Sequence, residues 1–512
     1  MEIKEVFRQA KWSEPLIYEY SRKGKTGILL TSGEDELLCK YIPDNMIRKR
    51  PPNLPSVSEV DVVRHYTRLS QMNWGIDLGV YPLGSCTMKY NPKFNEENPF
   101  IRKLRNVHPH QPYMTIQSLL KNLYFLEKWL CEITGMDRGS FQPVAGAHGE
   151  LAGVLMIRKY HLVNGDHDRN EIIVPDSAHG TNPASASMGG FKVITTPSDE
   201  EGLIDIEALK AALSKRTAGV MLTNPNTLGL FERNIEDVSK MVHEVGGLLY
   251  YDGANLNGIM GIVRPGDMGF DIVHLNIHKT FSSPHGGGGP GAGVILAKGK
   301  LVDFLPVPLI EKDEKGYYFW NYNVKHTIGK IRAFYGNIVP LLKAYYYLLA
   351  LGGKGIRAVT NISVLNTNYF ISLLKDIKGL HIPYSSSTPR KHEVVVSASR
   401  VFNETGVSTF DIAKALLDRG VHPPTIYFPL IVREALMIEF TESESKEEIE
   451  RYAEYLEEII ETAYRNPEEV KKSPRYTSIG RLDEVKASKP NSYIPSYRVY
   501  LKRGQNILCS KH

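Results

Sequence analysis

The stretch HLNIHKTFSSPHGGGGPGAGVILA, residues 274–297, decides how this chain is to be read. It opens on the end of an apolar run and places Lys279 just past it, between His278 and Thr280. It then crosses a glycine-rich turn and re-enters an apolar run at GVILA, 293–297. A lone surface lysine is a solvated charge. A lysine at the end of a buried strand is partly desolvated, and such an amine serves as the nucleophile in Schiff-base chemistry. Two other readings of the glycines fail. Gly286, Gly288 and Gly291 match G-x-G-x-x-G, but Pro290 interrupts them and a strand follows rather than a helix, so the dinucleotide fingerprint lacks its context. A phosphate loop of the form G-x-x-x-x-G-K-[ST] is absent.

Outward from this stretch the pattern alternates. Short β-rich runs stand at EIIVP (171–175), KVITTP (192–197), GVMLTNP (219–225), GLLYYDG (247–253), DIVHLN (271–276) and GVILA (293–297). Helix-like stretches at 149–163, 204–214 and 234–245 lie between several of them. Near-continuous apolar strands alternating with amphipathic helices predict an α/β fold, with a mostly parallel central sheet and helices on both faces. Ligands in such sheets sit beyond the carboxyl ends of the strands. The polar clusters fall there: DSAHGTN, TNPNT, DGAN and HKT.

Those clusters supply partners for Lys279. Asp252 ends the preceding strand run. Alone it reads as a turn former; beside a strand-end lysine it suits a pyridine nitrogen, which a carboxylate keeps protonated in pyridoxal 5'-phosphate (PLP) chemistry. Ala254 is small enough for a ring to lie against. His179, in DSAHGTNPASA, can stack on a ring and move protons. In QPVAGAHGE (142–150), small residues at a helix start let backbone N–H groups approach a phosphate. The spacing of Leu119, Leu120, Leu123, Leu126 and Leu130 predicts a further helix over 114–133.

At 512 residues the chain exceeds a single hydrophobic core. The expected division is an N-terminal arm at 1–110, irregular and rich in turn formers; a large PLP-binding domain at 111–345; a smaller C-terminal α+β domain at 346–465; and a basic tail at 466–512. In the smaller domain, helices are expected near 356–378, 409–419 and 444–463, with strands at 392–398 and 436–440. From Lys471 onward ten Lys or Arg stand against Asp483 and Glu484, which reads as a solvated tail or a contact for an acidic partner. The net charge of +5 is small and argues against nucleic acid. Cys39, Cys86, Cys131 and Cys509 form no C-x-x-C pair, so no metal site or disulfide framework is expected. Sparse cysteine and a charged N-terminus point to the cytoplasm. No run of eighteen apolar residues argues for a membrane span.

The ordered blocks YPLGSCTMKYNP, QPVAGAHGE, SAHGTNPASA, TNPNTLGLFE, YYDGANLNG, HLNIHKTFSSPHGGGGPGAG and HPPTIYFP with FTESESKEE, from 81 to about 447, resemble the P-protein family of the glycine cleavage system (glycine dehydrogenase, aminomethyl-transferring). The resemblance implies a fold-type I PLP enzyme with Lys279 as the Schiff-base lysine, Asp252 on the ring nitrogen and His179 stacked on the ring. It also implies cofactor contacts from Ala145, Gly146, Ala147, Thr227 and His278. The family's block more often has Asn-Ser where this chain has Val144-Ala145, so backbone amides must serve the phosphate here. The implied activity is decarboxylation of glycine, with release of carbon dioxide and transfer of the aminomethyl group to the lipoyl group of the H-protein. Single-chain members are about twice as long. The length therefore implies the catalytic subunit 2 of a split form, paired with a homologous subunit 1 in a heterotetramer with two copies of each. Cys86 reads either as a packed thiol or as a wall of the lipoyl channel, and His422 and Arg332 as candidate seats for the glycine carboxylate. Another fold-type I decarboxylase or aminotransferase, or a non-catalytic binding subunit, are the competing readings. Lys279 argues against the last.

Overall fold

Near-continuous apolar runs predict strands covered on both faces, and most of the runs form such strands, whereas KVITTP forms an edge strand that is partly exposed. The computed structural model describes residues 10–27, 41–50, 52–104, 106–286, 291–384 and 388–504. Gly288, Pro290, Cys39, Cys509 and Lys511 lie outside the described residues.

The large sheet has seven strands: β1 (Arg138–Ser140), β2 (Glu171–Pro175), β3 (Lys192–Thr196), β4 (Thr217–Leu222), β5 (Leu248–Gly253), β6 (Ile272–Asn276) and β7 (Gly293–Ala297). Their spatial order is β1-β7-β6-β5-β4-β2-β3. Strands β2 to β6 pair in parallel, whereas β7 runs antiparallel to both β6 and β1. Leu249 and Tyr251 of β5 enter one core, and Leu248 and Tyr250 enter the other. The alternation that would mark a one-sided sheet is therefore absent from the sequence. Leu119, Leu120, Leu123, Leu126 and Leu130 of helix Gln117–Thr134 all join the first core. Truncating one of them to Ala is expected to cost about 2–5 kcal/mol.

Helix Gly146–Val163 lies on the second face, and two glycines set its depth. A Cβ on Gly153 would lie 2.2 Å from Tyr250, and one on Gly149 would meet His274 at 3.0 Å. This close seating brings the helix start over the ends of β5 and β6.

A hairpin of β8 (Leu309–Lys312) and β9 (Tyr318–Asn321) follows the large sheet. The second sheet is antiparallel, with β12 (Ala435–Ile438) between β10 (Val394–Ser397) and β11 (Thr425–Ile426). Helix Lys446–Arg465 covers it with Ile449, Tyr452, Leu456 and Ile459.

The helical span Ile338–Leu374 is two helices joined at a kink at Gly352, which has φ 60° and ψ −179°, and the second of them is the helix expected near 356–378. By length and mean hydropathy alone this span could cross a membrane. Here Leu341, Leu342, Ala344, Leu348 and Val359 pack in the first core.

The chain divides into two compact units. One comprises residues 76–416 and 421–471 and holds both sheets; the other comprises 1–75, 417–420 and 472–512. In the latter, helix Glu59–Gln71 occupies a stretch expected to be irregular. Ser58 and Asp61 close a capping box at its start. The helix's apolar face was not legible, because Val60 and Val63 point outward and the buried residue is His65. His65 and Arg68 both hold the Glu14 carboxylate, at 2.8 and 3.1 Å.

Candidate active site

Strand register builds the site. The parallel pairing of β5 with β6 sets Asp252 beside His274, and Lys279 follows one turn beyond β6. Asp252 is buried at 1% exposure. Its Oδ1 accepts the Ala254 N–H at 3.0 Å and lies 3.3 Å from His274 Nε2, while Oδ2 accepts from Asn182 Nδ2 at 3.2 Å. Burial pushes this carboxyl up, but His274, His179, the Ala254 N–H and Lys279 outweigh it and bring it below the usual range. Asp252 is thus an anion held in the core. His274 is steadied in turn by the Tyr250 hydroxyl, 2.7 Å from its Nδ1.

Glu150, on the facing helix, takes the opposite state. Burial and then the charge of Asp252 push it up to about 8. Its partners are hydroxyls, Thr181 Oγ1 at 3.1 Å and Ser185 Oγ at 3.5 Å. A hydroxyl can accept as well as donate, so it tolerates a protonated acid.

Lys279 Nζ donates to the Ser85 carbonyl at 2.7 Å, and Ser85 Oγ lies 2.9 Å from His179 Nε2. His179 is partly buried and stacks on Phe428, with centroids 4.9 Å apart and planes 16° apart. Burial lowers it to about 4, so the ring is neutral. Lys89 anchors the same neighbourhood, donating to Thr280 O at 3.0 Å and pairing with Glu442 at 2.7 Å.

At the helix start, Ala145 is the N-cap residue and gives no side-chain cap. The first N–H groups of an uncapped helix form a ready anion site. A Cβ on Gly146 would lie 2.2 Å from Asn276 Oδ1, a buried acceptor with no partner of its own. Ala147 is exposed. The helix start thus carries only methyls at Ala145 and Ala147 and nothing at Gly146, while His148 Nδ1 accepts the Val144 N–H at 3.3 Å. Asp252, Lys279, His179 and the helix start fit PLP: an amine for its aldehyde, an anion for its ring nitrogen, a ring for its face and free amides for its phosphate.

Other expected residues divide. Ala254 lies beside Asp252 through its N–H. His278 is lowered to about 4, chiefly by burial, and its Nδ1 faces the Ala292 carbonyl at 3.3 Å. Thr227 is buried and donates its hydroxyl to Ser177 O at 2.5 Å, so that hydrogen is committed within the chain. Arg332 sits beside His148 and donates to Asn337 Oδ1 at 2.9 Å, near the helix start rather than near Lys279. His422 stacks on Tyr81 at 3.7 Å and is pushed down to about 4 by burial, so it carries no cation for a carboxylate. The Cys86 thiol is pushed up, first by burial and despite Lys279, which keeps it protonated.

Sequence reading missed Ser85, Asn182, His274, Glu150, Phe428, Glu393 and Glu439. Most stand in motif blocks quoted above, but only tertiary contact turns them towards Lys279. Two triads, Glu150–Asp252–His274 and His392–Glu393–Glu439, bring donor atoms within 4.8 Å of one another, where no metal-binding pattern was expected.

Comparison with known proteins follows the same lines. A family model described as "Glycine dehydrogenase, C-terminal domain" matches residues 359–475. "Probable glycine dehydrogenase (decarboxylating) subunit 2" of Staphylothermus marinus is 56% identical over 99% of this chain and 99% of its own length. The protein of the same description from Pyrococcus horikoshii is 58% identical over 94% and 96%. Among solved structures, an inhibitor-bound glycine decarboxylase (P-protein) of the glycine cleavage system superposes with a TM-score of 0.70 at 21% identity, covering 83% of this chain and 95% of that one. A NifS-like protein superposes with a TM-score of 0.58 at 16% identity, over 75% and 99%. The likeness to these structures is one of fold, and the architecture is the expected fold type I.

Proposed function

This chain belongs to the glycine dehydrogenase (decarboxylating) subunit 2 family, and on that premise we propose that it is the PLP-bearing subunit that decarboxylates glycine. The observation that carries the reading is the pairing of an ionised, buried Asp252 with the Lys279 amine at adjacent strand ends, beneath an uncapped helix start. When bound, PLP supplies a sink for the electron pair released as the glycine C–C bond breaks.

The chain's own residues do the rest. Lys279 Nζ is the amine to hold the aldehyde. Asp252, fixed by His274 and Asn182, keeps a proton on the ring nitrogen. Because it is fixed beforehand, it stabilises developing charge without reorganising. Glu150 takes the competing proton and so leaves Asp252 the single anion of its pair. His179, backed by Phe428, presents a neutral ring to the cofactor face. The N–H groups at Gly146, Ala147 and His148 would hold the phosphate. The reading extends to a cytoplasmic enzyme that works with a homologous subunit 1, two copies of each, and passes the aminomethyl group to the lipoyl group of an H-protein. The description of the relatives as subunit 2 supports the partner subunit.

Two measurements test the reading. Borohydride reduction is expected to fix the cofactor on Lys279, read by peptide mass. Exchange of labelled carbon dioxide into glycine is expected to depend on lipoylated H-protein. Cofactor fixed elsewhere, or exchange indifferent to H-protein, would sink the proposal.

A further inference from the structure

Two buried glutamates face each other beside the second sheet, and the chemistry described above uses neither. Glu393 precedes β10 and Glu439 follows β12. The register Val394↔Ile438 continues so as to set them opposite one another. Both are almost fully buried, at 3% and 2% exposure. Like charges directly opposite across a sheet repel, so this pair is not explained by packing. What the two carboxylates hold is the segment Gly84–Thr87.

Glu393 Oε2 accepts the Ser85 N–H at 2.8 Å. Glu439 Oε2 accepts the Thr87 N–H at 3.0 Å and the Thr87 hydroxyl at 3.1 Å, while its Oε1 accepts from Asn255 Nδ2 at 2.8 Å. Gly84 N–H donates to Met437 O at 3.1 Å, and a Cβ there would lie 2.4 Å from the Met437 side chain. Held in this way, Ser85 and Thr87 adopt φ of 67° and 48°, a left-handed conformation that side chains resist. The same turn makes both Ser85 contacts: its carbonyl with Lys279 Nζ and its hydroxyl with His179 Nε2.

We propose that Glu393 and Glu439 are positioning residues that pin Gly84–Thr87 in its left-handed turn, so that Ser85 offers its carbonyl as the resting place of the Lys279 amine and its hydroxyl as the partner of the His179 ring. The proposal rests on the proposed function in one respect, that Lys279 and His179 are the groups holding the cofactor. Carboxylates suit the task because every group converging on them is a donor. A proton shared between them removes their repulsion. Burial pushes Glu439 up to about 7, and burial together with Glu439 pushes Glu393 up as well.

The test uses the full chain with Glu393→Ala, Glu439→Ala, the matching Gln variants and Thr87→Val. Amide hydrogen exchange of the peptide bearing Ser85 to Thr87 is read first, since it needs neither cofactor nor turnover. The Ala variants are expected to exchange there at least about tenfold faster. They are expected to lose kcat for glycine with KM changed less. Glu→Gln keeps an acceptor for each backbone N–H of the turn, at the expense of the Asn255 contact of Glu439, so the Gln variants are expected to recover most of that kcat and the slow exchange. Should an Ala variant fail to fold, Thr87→Val and the Gln variants decide: faster exchange in Thr87→Val with slow exchange in the Gln variants supports the pinning. Unchanged exchange and kcat in folded Ala variants would overturn it. So would Gln variants as impaired as Ala, or a stoichiometric metal ion found on His392, Glu393 and Glu439. If wild-type protein carries no reducible cofactor on Lys279 while the exchange results hold, the proposed function has failed and the pinning of the turn has not.

Discussion

Two buried acid clusters flank Lys279, and they are alike in composition. Each has two carboxylates and a histidine: Glu150, Asp252 and His274 at the end of the large sheet, and His392, Glu393 and Glu439 beside the small one. Their charges differ. Asp252 is pulled below the usual carboxylate range, whereas Glu439 is raised to about 7 and Glu393 is raised too. Burial penalises all of them equally in kind, so the partners decide. Asp252 faces two histidines, Lys279 and two N–H donors, whereas burial and the charge of Asp252 push its rival Glu150 up against only two hydroxyl donors. In the second cluster the foremost electrostatic neighbour of Glu393 is the other glutamate. The first cluster keeps a fixed anion suited to chemistry; the second keeps acceptors suited to holding a backbone turn.

The largest expected effect breaks that contrast at its centre. Asp252→Asn keeps the shape and removes the charge. Steady-state kinetics should show kcat/KM for glycine lower by on the order of 10²–10³. A loss of less than tenfold would mean that the anion is not what the ring nitrogen needs.

The next effect uses pH to set the raised glutamates of both clusters against the lowered Asp252. Glu150 and Glu439 have folded values of about 8 and about 7, above the ordinary 4.5. The native state then holds their protons longer than the unfolded chain does. Stability is lost as pH rises from about 5 through those values. Glu150→Gln and Glu439→Gln should therefore match the parent near pH 4 and gain on it by at least about 1 kcal/mol by pH 9. Asp252 lies below 3.8 when folded, so its contribution is complete above about pH 4 and is lost as pH falls through the folded value. Asp252→Asn should be less stable than the parent at neutral pH, with the gap closing in acid. Chemical denaturation across pH gives all three curves, and parallel curves would erase the contrast.

The smallest effect sharpens how Glu150 is held in place. Thr181→Val removes one hydroxyl partner and should cost about 0.5–1.5 kcal/mol, measured by denaturant midpoint. No change would mean that the hydroxyl contributes nothing to holding the acid.

Much of the large sheet was legible in the chain. EIIVP and GVILA form β2 and β7 to the residue, and the other runs lie within three residues of their strands. Long apolar runs admit few alternatives once helices alternate with them. The antiparallel turn of β7 was not legible, since the residues between β6 and β7 allow either direction. Nor was the helix that precedes Gly352, which meets the expected one at a kink rather than through a loop.

Sequence by itself determined the residue types that do chemistry and the strand ends on which they stand: Lys279, Asp252, His179 and the bare helix start. Local pattern suffices there, because a strand end and a helix start are properties of neighbouring residues. Only tertiary structure decided the state and company of those groups. Whether Asp252 is charged depends on His274 across a strand register. Whether Lys279 has somewhere to rest depends on Ser85, 194 positions away. That turn is held in place by glutamates more than 300 positions further along the chain. Electrostatics and hydrogen bonding act over a few ångströms of space, and proximity in space is the one quantity a linear sequence does not carry.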